Sequence, residues 1–388
     1  MNDESIDAVL RQAITDETLA GVSYAILRNG DVVARGCLGH ADREAGIPLR
    51  EDHLFRAFSN TKLVTSIAAL QLHQQGRFGL DDPVGEYLPA LRDLRVLRPG
   101  ATSLDDTEAA REPVRVRHLL THTAGFTYGF LDPSAPIAKA YADAGMLDPA
   151  VSLADQITRL ARLPLLFQPG TRWNYSVATD VVGRLVEVLS GTTLDDYFRR
   201  HVFEPAGMTD TGFVVPAKDA GRLTALYIGD LRDPLKPGLA RADHLPHPGA
   251  YLRPQARLNP GGGLVTTLGD YARLLQVLLQ GGAPLLAPAS MRLLQDNQLP
   301  AGMWIQFPGF PVVEGRGHSL ATSVTVEPFA GDPTSRAGDL QWGGLAGTHW
   351  FFSPREQLGA VLMTQRYMGF GLPFWPEFKA AVRASQGL

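Results

Sequence analysis

The chain has a single cysteine, Cys37, among 388 residues. No disulfide can close within it, and no cysteine cluster can hold a metal. Lysine is almost as sparse: Lys62, Lys139, Lys218, Lys236 and Lys379 are all there are, in a chain rich in arginine. Neither sign of charge dominates. The formal net charge is -4, so no basic field points to nucleic acid or to an anionic membrane. No uncharged run is long enough to span a bilayer. The first residues, Met1 to Asp7, are acidic and polar and lack the basic and apolar regions of a secretory signal, so a cytoplasmic location is expected. The G-x-S-x-G elbow of Ser-His-Asp hydrolases is absent. So is the H-E-x-x-H zinc motif, since Leu119 follows His118.

What is present is an ordinary globular composition, 45% hydrophobic and 20% charged, with ample material for a large core. Ile6, Val9, Leu10 and Ile14 recur at helical spacing. Two β-rich runs then flank Asn29-Gly30, a hairpin signal. A helix is expected after residue 60, stopped at Gly76. From about 81 to 250, helical stretches (152–162, 178–190, 193–201) alternate with loops rich in Pro, Gly, Asp and Arg. Strand-like runs return at 321–327, 339–342, 348–352 and 358–364, followed by a final helix over 375–386. The expected fold class is α+β. Residues 1–80 and 251–388 together form an antiparallel sheet flanked by helices, and 81–250 form an inserted, mainly helical domain.

Ser59-Asn60-Thr61-Lys62 carries the strongest chemical signal. Residues three apart on a helix share a face, so the Ser59 hydroxyl and Lys62 amine point the same way. A serine becomes a nucleophile when a base takes its proton. Lysine can be that base where arginine cannot. Ser59 as a plain helix cap is the competing reading. Tyr175, in Trp173-Asn174-Tyr175-Ser176, lies in a loop entering a helix. A phenol beside an ammonium can relay a proton. Gln341-Trp342-Gly343-Gly344-Leu345 closes a strand with paired glycines, where another group can approach the backbone.

These three blocks, in this order and at these separations, resemble the serine β-lactamase and penicillin-binding-protein superfamily, and within it the β-lactamase-like carboxylesterases of family VIII. His118 to Gly125, Pro169 to Ser176, Pro260 to Thr267 and Asp270-Tyr271 extend the resemblance over nearly the whole chain. It implies a β-lactamase-like fold and the hydrolysis of short-chain esters through an acyl-enzyme. Ser59 would be the nucleophile, Lys62 and Tyr175 would share its proton, and the backbone N–H groups of Ser59 and Leu345 would form the oxyanion hole. No cofactor and no metal are implied.

The departures from the β-lactamase pattern favour an esterase. Val177 stands two residues after the tyrosine, where many β-lactamases carry Asn. Trp342-Gly343-Gly344 replaces Lys-Thr-Gly, removing the cation suited to a β-lactam carboxylate. A β-lactamase or peptidase, an acyltransferase to an alcohol and a silent binding module on the same fold are the alternatives. Phe126, Tyr128 and Phe130 are candidates to line an acyl or alcohol pocket, with a place in the core as the alternative. Among the histidines, His349 is the one expected to touch substrate, and His118 and His122 are expected to cap or pack. The partner is a small ester, and the oligomeric state is left open.

Overall fold

The computed structural model describes residues 4–233, 235–329 and 331–388. One antiparallel sheet of eight strands organises it. The strands are β1 (Gly21–Arg28), β2 (Asp31–Asp42), β3 (Ile47–Pro48), β4 (Arg316–His318), β5 (Ser323–Thr325), β6 (Leu340–Gly343), β7 (His349–Ser353) and β8 (Leu358–Thr364). Their spatial order is β4-β5-β6-β7-β8-β1-β2-β3, so the two ends of the chain meet where β8 pairs with β1. At the Asn29-Gly30 turn φ is +53° and +81°, the two left-handed residues that a tight hairpin between right-twisted strands requires.

Alternation along the strands sorts side chains between two layers. Tyr24, Ile26, Phe351, Ala360 and Leu362 pack beneath α1 (Glu4–Thr15) and the C-terminal helix, labelled α5 below, meeting Ile6, Leu10, Phe374 and Phe378. Their neighbours Ala25, Leu27, Trp350, Phe352, Val361 and Met363 face the opposite way and join the main core. That core also takes in α2 (Thr61–Gln74), α3 (Ala178–Ser190) and α4 (Leu268–Leu279). Every residue of α2 from Thr61 to Leu72 is buried, so this helix meets solvent only at its C-terminal end. It can be buried all round because the middle of the chain covers the side turned away from the sheet. The chain closes with α5 (Phe374–Ser385).

Two features differ from the sequence expectation. The stretch at 193–201 begins as helix at Leu194–Phe198 and then widens into a π-turn over Arg199–Phe203. The strand Arg316–His318 precedes the first expected run of that region, because its Gly-His pair carries little β-propensity and is held by pairing with β5. Among the described residues, no helix is long and apolar enough to cross a membrane.

Candidate active site

The site begins at a strained turn. Phe58 has φ +44°, a region a bulky residue rarely adopts, at a cost of about 1–3 kcal/mol. The turn is held on both sides. Ala57 N–H donates to Leu264 O at 2.8 Å, and Thr348 Oγ1 donates to Ala57 O at 3.3 Å. Ser59 follows in a single 3-10 turn, Phe58–Asn60, and α2 starts at Thr61. Ser59 is therefore presented just ahead of α2 and Lys62 in its first turn.

The Ser59 hydroxyl has two proton-handling neighbours. Tyr175 Oη lies 2.7 Å from Ser59 Oγ, and Lys62 Nζ lies 3.4 Å from it. Lys62 is buried, and its ammonium is satisfied by neutral oxygens. It donates to Gly261 O at 2.6 Å and to Tyr128 Oη at 3.2 Å, and it sits 4.7 Å from the centre of the Tyr175 ring. The glycine leaves room for both side-chain ends. A Cβ at Gly261 would lie 2.9 Å from the Tyr128 hydroxyl and 3.3 Å from Lys62 Nζ.

Behind this group Asp180, at the start of α3, is wholly buried. Among the described residues neither of its carboxylate oxygens has a hydrogen-bond partner, and Arg257 Nη1 stands 3.6 Å from Oδ1. Burial raises the Asp180 pKa, against the pull of Arg257 and then Lys62. Burial also pushes the Tyr128 phenol well above its usual range, with the Asp180 carboxylate adding to the effect, so Tyr128 stays protonated.

The turn after β6 faces the nucleophile. A Cβ on Gly344 would fall 2.5 Å from Ala57 O and 2.2 Å from Thr348 Oγ1, so only glycine lets the two backbones meet. The Gly344 N–H is used by Thr348 O at 2.6 Å. The N–H groups of Ser59 and Leu345 make no hydrogen bond among the described residues. Trp342 turns its ring towards Tyr175, with centroids 5.6 Å apart.

Other candidates divide. Tyr128 lies inside the site as a partner of Lys62, and Phe130 stacks on it at 5.0 Å with half its surface exposed, at the rim. Phe126 is sealed in the core, so the expectation that it lines a pocket is corrected. His349 is corrected too. It pairs with Gly343, and so faces away from Trp342; it stacks on Trp375 at 4.5 Å, under α5. Strand alternation is the reason, since neighbours along β7 point to opposite faces.

The histidines beside the site are His122 and His318. The His122 ring lies 5.1 Å from that of Tyr175, and its Nδ1 lies 3.3 Å from Ser176 Oγ. Burial drives its pKa well down, with His318 and Lys62 adding to the effect. His118 accepts the Arg115 N–H at the start of its short helix, at 3.2 Å. Sequence reasoning missed His318, Phe307 and Asp180. The third had a signal, an acidic residue five positions after Tyr175 on the helix it enters. The other two come from loops and strand ends with no motif of their own.

The sequence model of the family described as Beta-lactamase matches residues 6–373. Esterase EstB of Burkholderia gladioli is 33% identical over 396 residues, covering 98% of this chain and 94% of EstB. Monacolin J acid methylbutanoyltransferase of Aspergillus terreus is 31% identical over 337 residues, 82% of this chain and 78% of that protein. Among solved structures, "EstCE1, a hydrolase with promiscuous acyltransferase activity" superposes with a TM-score of 0.82 at 28% identity, covering 98% and 97% of the two chains.

Proposed function

The chain belongs to the beta-lactamase family and has its fold, and from that premise we propose that it is a serine carboxylesterase acting on short-chain esters, similar to the family VIII enzymes. One observation carries the reading: a serine hydroxyl on a strained turn, 2.7 Å from a tyrosine hydroxyl and 3.4 Å from a buried lysine. Ser59 Oγ attacks the ester carbonyl carbon while its proton passes to the Tyr175 and Lys62 pair, which enters the step one proton short, as a neutral amine beside the phenol or as a phenolate beside the ammonium. The shorter path runs to Tyr175. The tetrahedral oxyanion is received by the N–H groups of Ser59 and Leu345, which are otherwise unused. When the carbon–alkoxide bond breaks, the proton goes to the leaving alcohol. Water then enters, gives its proton to the same pair, and releases the acid from Ser59.

The substrate class follows from charge. Trp342 offers an apolar face where a β-lactamase offers a cation, and Tyr128, Tyr175 and Phe130 continue the aromatic surface. A neutral ester meets no unpaired charge there, while an anionic lactam gains no counter-ion. Acyl transfer to an alcohol is the second reading. It uses every residue named, and it is supported by the methylbutanoyltransferase and by the activity stated for EstCE1.

The test is direct. A fluorophosphonate adduct is mapped by mass spectrometry, and p-nitrophenyl esters of graded length are compared with a chromogenic cephalosporin. Labelling at Ser59 and a preference for short esters are expected. An adduct on another serine, or a cephalosporin kcat/KM at or above that of the best ester, overturns the proposal.

A further inference from the structure

Two strained aromatic residues meet beside the nucleophile. Phe58, in the turn that presents Ser59, has φ +44°, and Tyr251 has φ +68°. Their rings meet edge to face, with centroids 6.2 Å apart. Strain of this kind persists where surrounding contacts over-determine the backbone, and it gathers at functional sites. Tyr251 is held in that way. Its carbonyl accepts the Val215 N–H at 2.8 Å, it packs in a cluster with Leu54, Val215 and Val265, and the buried Arg56 guanidinium lies 5.9 Å from its ring centroid.

The Tyr251 hydroxyl reaches a second element of the site. It donates to Gly262 O at 3.2 Å. Burial pushes the phenol well above its usual range, against the pull of Arg56, so it stays a donor. Gly262 follows Gly261, whose carbonyl takes the shortest hydrogen bond of Lys62, at 2.6 Å. Gly261, Gly262 and Gly263 have no side chains to fix their peptide planes. Hydrogen bonds fix them instead. Asn259 Oδ1 accepts the Gly261 N–H at 3.2 Å, and Asn259 O accepts those of Gly262 and Gly263 at 3.1 and 2.7 Å. Asn259 belongs to the same turn, so these bonds shape it without anchoring it. The anchors come from outside. Thr65 Oγ1 donates to Pro260 O at 2.7 Å, just before the glycine that holds Lys62, and Tyr251 donates to Gly262 O, just after it. The glycine turn also lies against the strained one, since a Cβ on Gly262 would fall 3.6 Å from the Phe58 carbonyl carbon.

We propose that Tyr251 is a positioning residue for Lys62 and Ser59. Its hydroxyl holds the glycine turn so that Gly261 O keeps the Lys62 amine aimed at the Ser59 and Tyr175 hydroxyls, and its ring braces Phe58 and so the turn that carries Ser59. The proposal rests on the carboxylesterase reading above. Proton transfer is sensitive to small displacements of the groups that exchange the proton. A carbonyl held against an ammonium also favours the charged form, so a loosened Gly261 O supports it less.

The experiment uses Tyr251→Phe, which keeps the ring and removes the hydroxyl. Active serines are counted with a fluorophosphonate, and kcat and KM for p-nitrophenyl butanoate are followed across pH. Per active serine, kcat is expected to fall about tenfold, with KM within about twofold of wild type. The acidic limb of the kcat profile should move to lower pH, because an ammonium with a weaker acceptor gives up its proton more readily. The other titratable and charged groups around Lys62 are Tyr128, Tyr175, His122 and the Asp180 and Arg257 pair, and the variant alters none of them. Tyr251→Met, which fills the space with a flexible side chain, repeats the reading if the phenylalanine protein does not fold. A folded hydroxyl-free protein whose kcat or acidic limb stays at the wild-type value overturns the proposal. So does failure of both variants to fold, since the hydroxyl would then serve the fold and not the lysine. Wild-type ester cleavage through Ser59 with an unmoved variant would sink this inference alone, whereas no ester cleavage at all would sink the carboxylesterase reading with it.

Discussion

Two buried lysines, one on each side of the sheet, show what turns a cation into a structural or a chemical group. Lys379, on α5, donates to the Asp332 carboxylate and to Gln341 Oε1 at 3.1 Å. Beside it Arg383 pairs with Asp339 at 2.6 Å and with Glu356. Burial raises the Asp332 pKa, but the pull of Lys379 outweighs it and holds the carboxyl below its ordinary value. Burial lowers the Lys379 pKa, while Asp332 holds it up. Removing a proton from Lys379 would strand that buried carboxylate. Lys62 is as deeply placed, but its hydrogen bonds go to a carbonyl and two hydroxyl oxygens, and the nearby carboxylate of Asp180 is turned to Arg257. Among the described residues no carboxylate stands at hydrogen-bond distance from Lys62, so none would be stranded in the proton transfer proposed for it. On the mechanism proposed for Lys62, burial alone does not mark a catalytic lysine; the charge of its partners does.

The sharpest way to break this comparison is to alter both lysines. Lys62→Arg keeps the charge and loses the base. Turnover is expected to drop by about 10²-fold or more, with little change in stability. Lys379→Met should do the reverse. Leaving Asp332 buried without its partner should cost about 3–5 kcal/mol in urea unfolding, while the folded protein keeps its kcat/KM. Near-normal turnover in Lys62→Arg would make both lysines structural.

Tyr175→Phe sharpens the contrast by removing only the hydroxyl 2.7 Å from Ser59. Both acylation and deacylation should slow, by roughly 10²-fold, with the melting temperature nearly unchanged. Burst kinetics with an activated ester separates the two steps. A wild-type burst and steady-state rate would remove Tyr175 from the proton path and leave the transfer to Lys62.

The smallest effect concerns the histidines of the two sides. His318 by the site and His349 beneath α5 are pushed down by burial to about 4 and about 3, and His122 is also driven well down. These depressed values mean that the unfolded chain binds protons which the folded protein does not. Their contribution to stability is complete above the unfolded value of about 6.5 and declines as pH falls towards the folded values. The expected slope between pH 6.5 and 4 is about 1.4 kcal/mol per pH unit for each such histidine. Chemical unfolding across that range checks it. His349→Phe should flatten the slope without altering ester selectivity, since that ring faces away from Trp342.

Much of the fold was legible before the structure. The hairpin around Asn29-Gly30, the helix after Ser59 and the strand pair 348–352 and 358–364 carry local signals, namely turn chemistry and apolar period, that need no tertiary context. Ser59 and Lys62 were legible as neighbours because three residues make nearly one helical turn. Tyr175 was legible as chemistry only through its resemblance to a family, since nothing local brings residue 175 to residue 59. The face on which His349 falls was not legible. One residue of register decides it, and register is set by pairing with β6 and β8.

The sequence by itself determined the residue types able to do nucleophilic chemistry, the local elements that present them, and the lack of a cation at position 342, because each is a property of a short stretch of chain. Only the tertiary structure decided which oxygens surround Lys62, that Phe126 is sealed in the core while Phe130 is exposed, and that His122 rather than His349 borders Tyr175. Those outcomes depend on which distant backbones lie against one another: Gly261 against Lys62, and Gly344 against Ala57. Burial and partner charge, which make a group reactive or inert, exist only once such contacts have formed.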